Sequence, residues 1–207
     1  MGEIVLKFFS LIFLLNLLPL HLKAQEIEFK LINQHKVKLK NFVVALYPLA
    51  TKPVLKPLTL EILQKDKAFS PPLVVIPSGS HIFFPNKDDT SHSVYSFSQS
   101  KKFTVDLYKS TDKIPSLVFD QEGVVILGCN IHDWMSATIV IVDTAYYGLG
   151  QTESLVINDV PPGEYSVKVW HKNIDQEKLL TMPKNLIVTN EQKQSFDLNV
   201  EIKAGRK

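Results

Sequence analysis

Residues 123–135 read GVVILGCNIHDWM. The apolar run 124–127 is short, rich in β-branched residues and bounded by Gly123 and Gly128, which marks a buried strand. The strand delivers Cys129 at its end. His132 and Met135 follow at steps of three, giving C-x2-H-x2-M on a loop. A second apolar strand, 137–142, closes that loop. This unit predicts a β protein with a soft, metal-capable set of side chains gathered at one end.

The same punctuation continues in both directions. Past residue 24, helix-period patterns are almost absent. Short alternating or apolar runs recur instead, with Pro, Gly, Asn and Asp between them. Besides the two strands above, the candidates are 26–32, 41–47, 58–64, 73–76, 81–84, 92–97, 102–107, 116–119, 154–157, 164–170, 179–182, 185–188 and 195–202. Phe103, Val105 and Leu107 show period two, as do Tyr165, Val167 and Val169 against Ser166, Lys168 and Trp170. Many short strands at this spacing indicate all-β sandwiches. The Pro-rich stretch 48–57 (PLATKPVLKP) reads as a linker or loop, and 144–150 (TAYYGLG) ends the strand before it. Residues 58–143 suffice for one compact sandwich. Each flank alone, 25–57 or 144–207, is small for a stable core. The two flanks are therefore expected to pair into a second sandwich, with the middle region inserted between them.

Composition removes several classes. The chain has 207 residues, with 23 Lys+Arg against 21 Asp+Glu and a net charge of +2. Residues 1–24 hold Lys7, Lys23 and Glu3, so the rest carries about +1. A nucleic-acid binder needs a basic face that this balance does not supply. Hydrophobic residues at 45% and charged residues at 21% exclude a disordered chain. A single cysteine excludes an internal disulfide.

Residues 1–24 (MGEIVLKFFSLIFLLNLLPLHLKA) have the parts of a secretory signal. Lys7 precedes the apolar run 8–20, and cleavage is expected after Ala24. Glu3 and Leu22 depart from the usual pattern, and an uncleaved membrane anchor is the alternative. Against an anchor, Asn16, Pro19 and His21 interrupt a span that needs about twenty apolar residues. The expectation is an exported protein, periplasmic in a bacterium, without stable membrane insertion after cleavage. A lone thiol there is a liability unless something occupies it.

His92 starts a strand after the turn-rich segment 85–91 (PNKDDTS). The reading is that His92, Cys129 and His132 form a trigonal set, with Met135 as a weak fourth contact. One thiolate, two imidazoles and a long axial thioether suit a copper electron-transfer site: the sulfurs favour Cu(I), and imidazole serves both oxidation states. Zinc could also take a Cys/His set, although structural zinc recruits four strong ligands and Met is a poor one. A lone Cys is more often an inert buried thiol, and a lone His more often structural.

The middle region resembles the cupredoxins, the plastocyanin and amicyanin group. Three stretches carry the likeness: 69–79 (FSPPLVVIPSG), the pattern Phe84-x-Asn86-x-Asp88-x3-His92-x-Val94, and 128–135. Plastocyanins keep four residues between the second His and Met, whereas amicyanins keep two, as here. The resemblance implies a Greek-key β-sandwich over 58–143 and one type 1 copper ion on His92, Cys129, His132 and Met135. Many cupredoxins place Asn after the first His ligand, where it ties the two ligand loops together. Here the residue is Ser93, so the resemblance carries over the ligand set but not that tie. More closely, 92–97 (HSVYSF), 128–135 and 161–171 (PPGEYSVKVWH) look like exported plastocyanin-like proteins of the methylamine utilization protein type. These join a cupredoxin to a sandwich similar to transthyretin or the carboxypeptidase regulatory domain. Residues 160–165 (VPPGEY) and 41–46 (NFVVAL) are similar to that second sandwich.

Trp134 is expected to form an apolar rim at the edge of His132, where a redox partner docks, or to pack the loop on the sandwich. Asn130 and Asp133 read as solvated loop residues. His81 and His171 read as structural and His35 as exposed. Lys101, Lys102, Lys109 and Lys113 read as a solvated face. Asp88 and Asp89 adjoin in a turn, and adjacency alone makes no acid/base pair. No G-x-S-x-G elbow, phosphate loop or dinucleotide fingerprint is present, so no enzyme activity is expected.

The expected function is one-electron transfer between redox partners such as a dehydrogenase, cytochrome or oxidase. The alternatives are a copper delivery protein using the same ligands and a structural double sandwich with a bare Cys129. A multicopper enzyme would need more histidine pairs than six His provide, one of which, His21, lies in the leader.

Overall fold

Alternation sets the first strand. EIEFKLIN over Glu26–Asn33 (β1) buries Ile27, Phe29, Leu31 and Asn33 and turns the residues between them outward. FVVALYP over Phe42–Pro48 (β2) buries its first five residues without alternation, which requires cover on both faces. The computed structural model describes residues 25–202. The expected leader, residues 1–24, lies outside the described residues.

Sixteen further strands follow. They are β3 (Thr59–Glu61), β4 (Leu63–Lys65), β5 (Ala68–Ser70), β6 (Leu73–Pro77), β7 (Ser80–Phe83), β8 (His92–Ser96), β9 (Phe103–Tyr108) and β10 (Ser116–Phe119). Then come β11 (Gly123–Gly128), β12 (Ser136–Val142), β13 (Tyr146–Gly150), β14 (Leu155–Asn158), β15 (Gly163–Trp170), β16 (Leu180–Thr181), β17 (Leu186–Val188) and β18 (Lys193–Val200). No helix occurs among the described residues, so the protein is all-β.

Four sheets stack in layers. The outermost has the order β14-β1-β18, with β1 parallel to β18. The next has the order β13-β2-β15-β16, with β17 also on β15. The third runs β6-β12-β11-β8-β9, and the fourth β10-β7-β3. The side chains of β2 and β12 show how three cores fit between four layers. Phe42, Val44 and Leu46 enter the core facing β1, with Ile27, Phe29 and Leu31. Val43 and Ala45 face the other way, toward Val124, Val140, Val142 and Trp170. Ala137, Ile139 and Ile141 of β12 fill the third core with Ile76, Ile82, Phe119 and Leu127. Period two thus distributes one apolar run to two cores. Every strand partner of β1 and β2 lies after residue 144.

A polar tie crosses the middle interface. Glu122, in the turn before β11, accepts the Tyr47 hydroxyl and, at 2.8 Å, the Lys168 ammonium. The ammonium also sits 4.4 Å from the centroid of the Tyr47 ring.

Two sequence expectations need correction. The run 58–64 is not one strand: β3 pairs with β7, whereas β4 pairs with β5. Ile62 breaks it, its side chain fully buried and its N–H donated to the Phe83 carbonyl. Asp66 and Lys67 then reverse the chain, both with φ of 54°, the left-handed values of a two-residue hairpin turn. Residues 144–150 hold a strand, β13, paired with β2. Its glycines read as breakers. A Cβ at Gly150 would lie 2.6 Å from the Phe42 ring, so glycine there admits a close approach.

His171 directly follows β15, is only 4% exposed and accepts the Asn173 N–H. Burial holds its pKa below the ordinary value, and Lys172 adds to the effect, against a backbone hydrogen bond at Lys40. The unfolded chain therefore takes up the proton first. This contribution to stability is complete above about pH 6.5 and is lost as pH falls toward the lowered folded value. Denaturant unfolding of wild type and His171→Gln across that range should show a shallower pH slope in the variant. The difference should not exceed about 1.4 kcal/mol per pH unit.

Candidate metal centre

Antiparallel pairing brings the site together. β8 and β11 are neighbours in the third sheet, joined where Gly128 faces Tyr95. The start of β8 therefore lies at the same pole as the end of β11, so His92 meets the loop that begins with Cys129. A Cβ at Gly128 would lie 2.5 Å from the Tyr95 ring, and glycine lets that ring cover the strand end.

Cys129 Sγ lies 3.8 Å from His92 Nδ1 and 4.0 Å from His132 Nδ1. All three atoms fall within 4.8 Å of one another. Bonds of about 2.0 Å to nitrogen and about 2.3 Å to sulfur, spread in a trigonal plane, set N and S about 3.7 Å apart. The donor set therefore fits one metal ion of this size. His92 is fully buried, Cys129 is 1% exposed, and His132 is partly exposed. Burial alone would raise the thiol pKa. Hydrogen bonds from the backbone N–H groups of Ser93 and Ile131 lead the contributions that outweigh it and bring Cys129 down to about 6. The thiolate, the form that binds metal, is thus accessible near neutral pH. Met135 is 2% exposed in the same apolar cluster as Cys129, and its N–H closes a turn onto the His132 carbonyl at 2.9 Å.

Ser93 supplies a tie of its own. Its hydroxyl oxygen accepts the Asn130 N–H at 2.9 Å and lies 3.9 Å from Cys129 Sγ as a donor. One short side chain therefore joins the two ligand loops and also contacts the sulfur.

Asp88 was given no role at the site by the sequence reading, and the structure gives it one. Its Oδ2 accepts from His92 Nε2 at 2.7 Å, which leaves Nδ1 facing Cys129. Burial raises the Asp88 pKa, but the Lys67 N–H, the His92 ring and the Asp66 N–H outweigh it and hold the carboxyl low. The available signal was an acidic residue four positions before a candidate ligand.

Trp134 is 70% exposed, 5.2 Å from the His132 ring, and its Nε1 donates to the Lys67 carbonyl at 3.2 Å. Ile131, 47% exposed, extends the apolar rim. Asn130 and Asp133 are exposed. His81 packs on Phe83, His35 is exposed and His171 directly follows β15, and none of them belongs to the cluster.

No family model and no curated protein matches the chain. Solved structures do. A copper-containing nitrite reductase from Thermus scotoductus is 20% identical, with TM-score 0.39, over 46% of this chain and 25% of its own. A purple cupredoxin from Nitrosopumilus maritimus is 22% identical, with TM-score 0.35, over 40% of this chain and 99% of its own. A reduced amicyanin variant is 16% identical, with TM-score 0.37, over 41% of this chain and 82% of its own. The chain thus spans about a quarter of the length of the nitrite reductase.

Proposed function

We propose that this chain is an exported, cupredoxin-type copper protein that carries single electrons between redox partners. The observation that carries the reading is the convergence of two imidazole nitrogens on one buried thiol, at 3.8 and 4.0 Å. His92, Cys129 and His132 would hold the ion, with Met135 as the weak fourth contact. Copper, when bound, supplies one-electron exchange between Cu(I) and Cu(II).

The chain's own residues do the rest. β8, β11 and β12 hold the donors at the end of a sheet covered on both faces, which resists rearrangement between oxidation states. Ser93 locks the loops and contributes a hydrogen bond to the sulfur, a contact that tunes potential. Met135 and the apolar cluster exclude water. Ile131 and Trp134 frame the exposed edge of His132 as a docking rim for a dehydrogenase, cytochrome or oxidase. The likeness of 92–97, 128–135 and 161–171 supports kinship with the methylamine utilization protein type.

The test is electrochemistry of residues 25–207 loaded with one copper equivalent. A reversible one-electron wave, with the metal retained in both states against an acceptor chelator, is expected. Copper that leaves readily to the acceptor and shows no reversible wave would replace electron transfer with delivery.

A further inference from the structure

We propose that Asp88, gripped by the Asp66–Lys67 turn, is a positioning residue that fixes which nitrogen of His92 is offered to the metal. The proposal rests on the copper reading above and adds to it a support outside the ligand set.

The turn between β4 and β5 directs two successive amides outward, because both residues adopt left-handed φ. The Asp66 N–H donates to Asp88 Oδ1 at 2.7 Å and the Lys67 N–H to Oδ2 at 3.0 Å. Two adjacent N–H groups in such a turn make a concave cradle for an anion. Oδ2 then accepts His92 Nε2 at 2.7 Å. The carboxylate is therefore held from one side and aims its remaining acceptor capacity at the imidazole.

The loop carrying Asp88 is pinned separately. Asn86 Oδ1 accepts the Asp88 N–H at 2.9 Å, and Asn86 Nδ2 donates to the Thr90 and Tyr108 carbonyls at 2.8 and 3.0 Å. Gln64 fastens the hairpin to this loop, donating its N–H to Pro85 and accepting that of Lys87. The carboxylate cannot swing away without breaking several bonds.

The consequence is chemical. A proton on Nε2, shared with Asp88, leaves the Nδ1 lone pair facing Cys129. A carboxylate behind an imidazole also makes the ring a better donor and favours the more highly charged metal state. The same turn reaches the second imidazole indirectly, since the Lys67 carbonyl holds Trp134 beside His132.

The experiment compares wild type, Asp88→Ala and Asp88→Asn. Ring 15N spectra of metal-free protein, recorded where His92 is neutral, should show the ring proton of the wild type on Nε2. Asp88→Ala should lose that preference, and Asp88→Asn, which keeps one neutral acceptor, should fall between. In loaded protein, Asp88→Ala should weaken Cu(II) binding about 10–100-fold, Cu(I) binding less, and so raise the potential. Each tenfold differential reads as about 59 mV. If Asp88→Ala fails to fold, Asp88→Asn supplies the comparison. An unchanged tautomer and potential in a folded variant would overturn the proposal. Failure of wild type to bind copper would sink the copper reading alone, because the metal-free spectra still decide the role of Asp88.

Discussion

Cys129→Ser should leave a folded protein without the intense visible band when mixed with copper. The thiolate is the only anionic donor of the three clustered atoms, and the charge-transfer absorption requires it. Serine is nearly the same size, and the buried site already surrounds the sulfur with N–H donors and the Ser93 hydroxyl. The metal-free variant should therefore unfold close to the wild-type midpoint. Copper affinity should fall by more than the about 100-fold that a lost supporting partner costs, because a soft ligand itself has gone. Titration of both proteins with Cu(I) under a competing chelator measures this. Undiminished affinity in Cys129→Ser would move the metal elsewhere.

The second large effect lies far from the metal. Phe42 is fully buried between β1 and β2, beneath Gly150. Phe42→Ala removes a ring from a close-packed core and should cost about 3–5 kcal/mol. Denaturant unfolding measures the loss. The ring fills the core facing β1, whereas the candidate ligands border the core two layers away. The visible spectrum of copper-loaded Phe42→Ala should therefore match wild type while the protein stays folded. A changed spectrum would show that the outer layers shape the site.

These two expectations draw on different parts of the sequence, and the parts were not equally legible. Period two in 165–170 and the unbroken runs 42–46 and 137–142 announced strands directly, because burial selects side chains every second residue or at every residue. The grouping of His92, Cys129 and His132 followed from a strand end and a loop spacing. What stayed hidden depended on contacts between distant segments. β13 was obscured because Gly148 and Gly150 signal turns locally, while their purpose is room for Leu155 and Phe42. The Asp66–Lys67 turn carries neither Asn nor Gly, so nothing local announced its left-handed backbone. Ser93 departs from the Asn common at that position, and nothing in the sequence assigned its hydroxyl a partner. It suffices because it bonds the Asn130 backbone directly. Asp88 read as one of two adjacent acids, and only the folded hairpin gives it a partner on each side.

Visible absorption and EPR of the copper-loaded protein, residues 25–207, test the central claim most directly. One intense thiolate-to-copper band per bound ion, with the narrow copper hyperfine splitting of a thiolate site, is the predicted result. A copper-loaded sample with no visible band and an ordinary nitrogen–oxygen copper spectrum would contradict it.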